Sequence, residues 1–355
     1  MKEDPLILVI NPGSTSTKVA LFAGRNKTTQ ENIVHPKEEL ASFNSLWNQF
    51  DYRIAAIEHF LSRTKIQGTL DAVVGRGGIL KTLKRGTYLV NEDMIKDARL
   101  GPRGMHVSNL GCALAQVIAR KFHCNAYTVD PVSVDEFEPI ARFSGHPLME
   151  RRSLSHSLNL RAAAFWAAEK LGINANQNNF IVAHLGSGIS IAPVHNGRVI
   201  DVNDASSAGP FSPERTGSLP LIPFIELCFS GKHNKEQIIE MVMSSGGIMA
   251  YLGTNDVAKV EDMINAGDEY ALNVFLAMTY QIAKEIGAMA TVVNGDVKAI
   301  VLTGGLANSN RLVTEITGRI MFIAPVFVFP GEMEMEAMAE GVLRVLFDQE
   351  TVKQY

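Results

Sequence analysis

The stretch Leu6–Phe22, LILVINPGSTSTKVALF, decides how the chain is read. Leu6–Ile10 is a short apolar run suited to a buried strand. Asn11, Pro12 and Gly13 break it, Ser14, Thr15, Ser16 and Thr17 follow, and Lys18–Phe22 resumes a strand pattern. A turn of this kind gathers backbone N–H groups and hydroxyls at one point, where they can cradle a phosphate. An ordinary hairpin with a polar tip has the same signature. A second stretch breaks the tie. Asn179–Asp201, NFIVAHLGSGISIAPVHNGRVID, repeats the grammar. Phe180–Ala183 is a strand, His184–Ser187 a glycine-bearing turn, and Gly188–Val194 the return strand. Asn196-Gly197 then leads into a third strand, Arg198–Asp201. Glu31–His35 is the matching third strand of the first copy. Two such units about half a chain apart predict a duplicated α/β domain with two loops facing one cleft.

The remaining chain supplies strands and helices around these hairpins. Glu38–Thr64 reads as one helix, with Phe43, Trp47, Phe50, Ile54, Ile57 and Leu61 at helical spacing. Asp71–Val74 and Ala126–Asp130 read as strands, running into Arg76 and ending on Asp130 respectively. Ligands of open α/β sheets gather beyond the strands' carboxyl ends. A salt-bridged rim would place such residues there too. Met105–Lys121 and Leu158–Leu171 read as helices, the latter closed by Gly172, with His156 just before it. The polar stretch Glu150–Ser157 suggests a domain boundary. Val202–Pro220 is a long loop of small residues whose single cation, Arg215, suits a phosphate or carboxylate clamp or a salt bridge to Glu214. Asp268–Val292 is a long helix with an apolar stripe. Lys298–Leu302 runs into Thr303-Gly304-Gly305, and Pro325–Phe329 into an acid-rich helix start at Glu332, Glu334 and Glu336.

Composition narrows the class. With 355 residues the chain suits about two domains, and 46% hydrophobic with 20% charged residues is ordinary for a globular protein. A net charge of -4 gives no electrostatic case for nucleic acid or an anionic membrane. No apolar run reaches the ~18–20 residues of a membrane span. The N-terminus is not patterned as a signal peptide. Three cysteines, Cys112, Cys124 and Cys228, form no C-x-x-C pair and fit free thiols in a cytoplasmic protein. Walker-type, dinucleotide-binding and protein-kinase signatures are absent, so a nucleotide site here must use turn glycines and hydroxyls.

The assembled motifs resemble the acetate and butyrate kinase family (the acetokinase family), a branch of the actin-like, sugar-kinase and Hsp70 ATPase superfamily. They run nearly the whole length in order: INPGSTSTK, VGRGG, GMHVSN, TVDPVSVDEF, RRSLSH, VAHLGSGISIA, the PERTG loop, VLTGGLANS and the FPGE…EAMAEG tail. NPGSTSTK stands where acetate kinases have NAGSSSLK-like strings, GRGG where they have HRVVHGG, and SLSH where they have GFHGTSH. Those departures resemble the butyrate kinase branch, including branched-chain fatty acid kinases.

The resemblance implies two ribonuclease H-like (actin-like ATPase) domains with a cleft between them. One would be 1–155, joined by the C-terminal helix 338–355, and the other 156–337, carrying nucleotide binding and dimerisation. It implies ATP/ADP and Mg2+ as cofactors, a short-chain carboxylic acid as substrate, no nucleic-acid or membrane partner, and a cytoplasmic homodimer or higher homo-oligomer. Asn11, Ser14 and Ser16 then match the first phosphate-facing loop. Arg76 matches the arginine facing the acyl substrate and the moving phosphoryl group, with His106 near the acyl end. Asp130 matches an acid that helps hold the metal or orients an arginine. His156 and Arg215 match a histidine and a second arginine at the phosphoryl group. His184, Gly186 and Gly188 match the second phosphate loop, and Gly304, Gly305 and Asn308 the adenosine side. Glu334, with Asn11, is assigned to Mg2+, with Glu332 and Glu336 close by. The expected reaction is direct in-line transfer from ATP to butanoate. Alternatives are an acetate, propionate or branched-chain acid kinase, a chaperone-like or filament-like ATPase, or a sugar kinase using Asp130 as base.

Overall fold

The computed structural model describes residues 3–64, 70–101, 104–153, 155–206, 208–331 and 333–355. The chain divides into two compact units. Unit 1 is Met1–Asp135 with Met333–Tyr355, and unit 2 is Glu136–Glu332. The division falls ahead of the polar stretch Glu150–Ser157. The reason is a set of ties that bind the intervening segment to unit 2. Arg151 pairs with Asp201 at 2.7 Å, Arg198 with Glu138 at 3.0 Å, and the Glu138 N–H donates to the Ile200 carbonyl at 3.0 Å.

Unit 1 is built on strands β1 (Leu6–Pro12), β2 (Ser16–Ala23), β3 (Asn26–Val34), β4 (Ala72–Gly75), β5 (Thr87–Leu89) and β6 (Asn125–Val129). Their order is β3-β2-β1-β4-β6-β5. β1, β2 and β3 form an antiparallel meander, while β4 and β6 run parallel to β1. Leu8, Ile10, Val19, Leu21 and Val73 point into one apolar core, shared with the helices Phe50–Arg63 and Gly111–Lys121. The helix Glu334–Leu346 packs on β1, β4 and β6.

Unit 2 repeats the arrangement with β7 (Asn179–Leu185), β8 (Ile189–His195), β9 (Arg198–Val199), β10 (Ala299–Gly304) and β11 (Val326–Pro330). Their order is β11-β10-β7-β8-β9, again an antiparallel meander continued by two parallel strands. Both faces are covered, as a near-continuous apolar run requires. Ile181, Ala183 and Leu185 face a core with the long helix Glu269–Val292. Phe180 and Val182 face a second core with the helix Ser157–Leu171. The apolar stripe Phe275, Met278, Ile282, Ile286 and Met289 of the long helix is therefore core.

One predicted helix is corrected. Glu38–Thr64 is not continuous. It splits into Lys37–Ala41, a short 3-10 turn Leu46–Gln49, and Phe50–Arg63. The Ser42 hydroxyl donates to the Glu39 carbonyl and the Ser45 hydroxyl to Asn48, local bonds that compete with helix propagation. Likewise Met105–Lys121 begins as a 3-10 turn, Val107–Leu110, before the helix at Gly111.

Candidate active site

In unit 1, β1 and β4 lie side by side in parallel, and Arg76 follows directly on β4. The Arg76 N–H donates to the Ile10 carbonyl at 2.9 Å, which brings Arg76 close to Asn11 along the same strand edge. Glu334 opens the helix Glu334–Leu346, where a carboxylate is favoured by the helix dipole. Its Oε2 accepts the Asn11 Nδ2–H at 2.6 Å, and its Oε1 lies 3.4 Å from Arg76 Nη2. Arg76 is buried, and its Nη1 has no hydrogen-bond partner among the described residues. Leaving such a donor unpaired costs roughly 1–3 kcal/mol, more for a charged group.

His106 belongs to the same neighbourhood. Burial of its ring away from water, and then the Arg76 cation, hold its pKa below the ordinary value, with Glu334 acting in the opposite sense. The Ser108 N–H donates to His106 Nδ1 at 3.2 Å, so the ring is neutral with its proton on Nε2. Asp130 is buried, with φ +38, and its Oδ1 accepts the Gly86 N–H at 2.7 Å. Ser14 is exposed and Ser16 half-buried in the β1–β2 turn, which is closed by the Gly13 N–H donating to the Ser16 carbonyl at 2.7 Å. Among the neighbouring acids, Glu336 pairs with Lys27 at 2.8 Å and Glu332 lies outside the described residues, so Glu334 is the one seen beside Asn11 and Arg76.

In unit 2, His156 caps the start of the helix Ser157–Leu171 without a side-chain cap bond. Its ring stacks on that of His184, with centroids 4.1 Å apart and planes at 28°. His156 Nδ1 lies 3.0 Å from the Ser190 hydroxyl. His184 Nδ1 lies 3.4 Å from the Asn159 side-chain amide.

The β7–β8 turn lies beside them. A Cβ on Gly188 would meet Arg215 Nη1 at 2.3 Å, so only glycine lets this guanidinium rest on the turn. Arg215 Nη1 donates to the Ala205 carbonyl at 2.9 Å, and the buried Arg215 Nε has no partner among the described residues. The Ser212 hydroxyl ties the same loop to the Ser187 carbonyl. Gly186 N–H donates to the Gly188 carbonyl at 3.3 Å. Gly304, at φ +93, rests on the Leu185 carbonyl at the base of this turn; Gly305 and Asn308 follow it, with Asn308 Nδ2 donating to the Gly305 carbonyl at 2.8 Å.

Unit 1 thus gathers Asn11, Arg76, His106 and Glu334. Unit 2 gathers His156, His184, Gly186, Gly188 and Arg215, with Gly304 behind them. Sequence reading missed Asn159, Ser190 and Ser212, which orient these groups. Their only signal was position, each within a few residues of a named motif. For Mg2+, the chemistry of unit 1 fits. This cation keeps several waters and takes one or two carboxylates together with phosphate oxygens. Glu334 and the Asn11 amide are oxygen donors of that kind. No cluster of three or more His, Cys, Asp or Glu side chains that could hold a metal occurs among the described residues, and a phosphate-sharing Mg2+ needs none.

The acetokinase family profile matches residues 151–325. The chain is 48% identical over 350 residues to "Probable butyrate kinase 2" of Caldanaerobacter subterraneus subsp. tengcongensis, covering 98% of this chain and 99% of that protein. It is 46% identical over 351 residues to "Probable butyrate kinase" of Listeria welshimeri, with the same coverage of 98% and 99%. Among solved structures, an acetate kinase from Porphyromonas gingivalis superposes with a TM-score of 0.76 at 19% identity, covering 96% of this chain and all of that one. At that identity the likeness speaks for the fold, which is the duplicated actin-like α/β fold of the acetate kinases.

Proposed function

From the premise that the chain belongs to the acetokinase family, we propose that it transfers the γ-phosphoryl group of ATP to butyrate, giving butanoyl phosphate and ADP. The observation that carries this reading is the pair of arginines. Arg76 in unit 1 and Arg215 in unit 2 each keep a buried guanidinium N–H without a partner among the described residues. Such donors suit anionic oxygens, and both reactants of this transfer are anions. A neutral hydroxyl acceptor would instead call for a carboxylate base.

The chemistry follows from the charges. A carboxylate is already ionised at neutral pH, so its oxygen attacks without a general base. What remains is to hold two anions in line and to stabilise charge on the phosphoryl group in flight. We assign Arg76 to the acid's carboxylate and the moving group, and neutral His106, donating from Nε2, to the acyl end. Asp130, tied to the Gly86 amide, supports the strand ends that carry them. The Ser14 and Ser16 turn faces phosphate. In unit 2, His156, His184 and Arg215 donate to the phosphoryl group, Gly186 and Gly188 offer turn amides to the phosphates, and Gly304, Gly305 and Asn308 take the adenosine side. Glu334 and Asn11 would hold Mg2+. When bound there, Mg2+ neutralises phosphate charge.

We place the enzyme in the cytoplasm as a homo-oligomer. No helix among the described residues is long and apolar enough to cross a membrane, and the three cysteines are free. The helix Leu221–Cys228 of unit 2 leaves Leu221, Ile222 and Ile225 exposed, followed by exposed Phe229, an apolar face of the kind that marks a protein interface.

The test is an acyl phosphate assay with hydroxylamine trapping, using ATP, Mg2+ and the acids from acetate through propionate, butyrate and isobutyrate to valerate. A maximum of kcat/KM at four carbons supports the proposal. A pocket separates neighbours differing by one methylene by only ~1–3 kcal/mol, so activity should spread to adjacent acids. A maximum at acetate would change the preferred acid. No trapped product with any acid, alongside slow ATP hydrolysis, would refute phosphoryl transfer to carboxylates.

A further inference from the structure

Arg53 lies on the buried face of the helix Phe50–Arg63, beside Ile54 and Ile57, and has no exposed surface. Its Nη1 donates to the Ser16 carbonyl at 3.0 Å and to the Thr17 hydroxyl at 2.9 Å. Its Nε and Nη2 both donate to the Gln49 side-chain oxygen, at 3.2 and 3.0 Å. All of these acceptors are neutral. Burial draws the Arg53 pKa down to about 10, which leaves the group charged at neutral pH. Charged side chains are almost never fully buried unless paired with an opposite charge, yet no carboxylate stands among these partners.

What Arg53 grips is the inner side of the β1–β2 turn. The Ser16 carbonyl that it holds also accepts the Gly13 N–H, and the Thr15 carbonyl accepts the His35 N–H at 2.8 Å. Thr17 Oγ1 is bonded in turn to His35 Nε2 at 2.8 Å. His35 adds no second charge at neutral pH, because burial and then the Arg53 cation push its pKa down to about 4, against the opposing pull of Glu39. On the outer side of the same turn, Ser14 and Thr15 are exposed.

We propose that Arg53 is a positioning residue for phosphate binding, a fixed cation behind the β1–β2 turn whose counter-charge is the ATP phosphate on the turn's outer face. The inference rests on reading that turn as phosphate-facing. Arg53 does not touch the phosphate. It fixes the turn's backbone through Ser16 and Thr17 and lends its field through a poorly screening interior, where such fields act over longer distances than in water.

The experiment compares wild type, Arg53→Met, Arg53→Lys and Gln49→Glu in steady-state acyl phosphate formation, with thermal melts to verify folding. Gln49→Glu keeps the guanidinium and places a carboxylate against it, so it cancels the charge without emptying the site, and serves if Arg53→Met does not fold. The expected result is a rise in KM for ATP of about tenfold or more in Arg53→Met and in Gln49→Glu. KM for butyrate should stay within about twofold of wild type. Arg53→Lys should recover most of the loss, because it keeps the charge. Folded Gln49→Glu with a wild-type KM for ATP would overturn the proposal, as would Arg53→Lys as impaired as Arg53→Met, since either would reduce Arg53 to a scaffold of its hydrogen bonds. Failure of wild type to form any acyl phosphate would instead overturn the reading of the turn itself.

Discussion

The β1–β2 turn of unit 1 and the β7–β8 turn of unit 2 occupy the same place in the same strand order, and each is held by an arginine from a different kind of element. In unit 1 the cation lies beneath the turn, on the buried face of a helix, bonded to Ser16 and Thr17. In unit 2 it comes from the loop that follows β9 and rests against Gly188. The repeat thus dictates where a turn forms and which way its strands run. Which element delivers the charge is left to sequence outside the repeat. The same contrast holds for the groups beside the turns. Unit 1 sets a carboxylate, Glu334, against Asn11 and Arg76, whereas unit 2 stacks two imidazoles, His156 and His184.

The largest effect should come from removing the two arginines that keep a donor without a partner among the described residues. Arg76→Ala and Arg215→Ala should each lower kcat by on the order of 10²–10³, by analogy with losing an oxyanion-hole donor. Steady-state rates with saturating ATP and butyrate check this, and near-normal kcat in either variant would remove that arginine from the chemistry. Gly188→Ala comes next. Its new methyl must displace the Arg215 guanidinium, and misplacing a catalytic group by about 1 Å costs up to ~10²-fold, so a loss of about ten- to a hundredfold in kcat is expected with the fold intact. A Gly188→Ala variant as active as wild type would show that Arg215 need not rest on the turn.

The smallest effect belongs to the support of unit 1. His35 has a folded pKa of about 4 against an ordinary 6.5. A depressed histidine pKa favours the neutral form in the native state, so the unfolded chain binds more protons between these values. Stability is then fully present above about pH 6.5 and declines as pH falls toward about 4. Urea midpoints measured across that window should fall in wild type and fall less in His35→Gln. Equal slopes would assign the acid sensitivity elsewhere. Among the described residues unit 2 shows no buried arginine–threonine–histidine network under its turn like Arg53–Thr17–His35, so this effect belongs to unit 1.

The sequence made the hairpins legible because apolar strands flanking a polar turn are a local pattern. β1, β2, β7 and β8 lie within a few residues of the predicted runs. Arg76, Arg215, His156 and His184 were legible as candidates because they stand at strand ends, in a long loop, or just before a helix. Their partners were not. Asn11 and Glu334 lie at opposite ends of the chain, and nothing local links Gly188 to Arg215. Arg53 was passed over because an arginine on a helix usually reads as solvated, although its place between Phe50 and Ile57 on the apolar face was a visible anomaly. The break after Ala41 was missed because apolar spacing continued through Phe43 and Trp47 while Ser42 and Ser45 made local bonds that end the helix.

In the proposed reaction the phosphoryl group goes from ATP to a carboxylate. Phosphorus NMR of the wild-type enzyme with ATP and Mg2+, run with and without butyrate, tests it most directly. An acyl phosphate resonance should grow one-for-one with ADP only when butyrate is present. ADP and inorganic phosphate appearing at the same rate with or without butyrate, and no acyl phosphate signal, would contradict it.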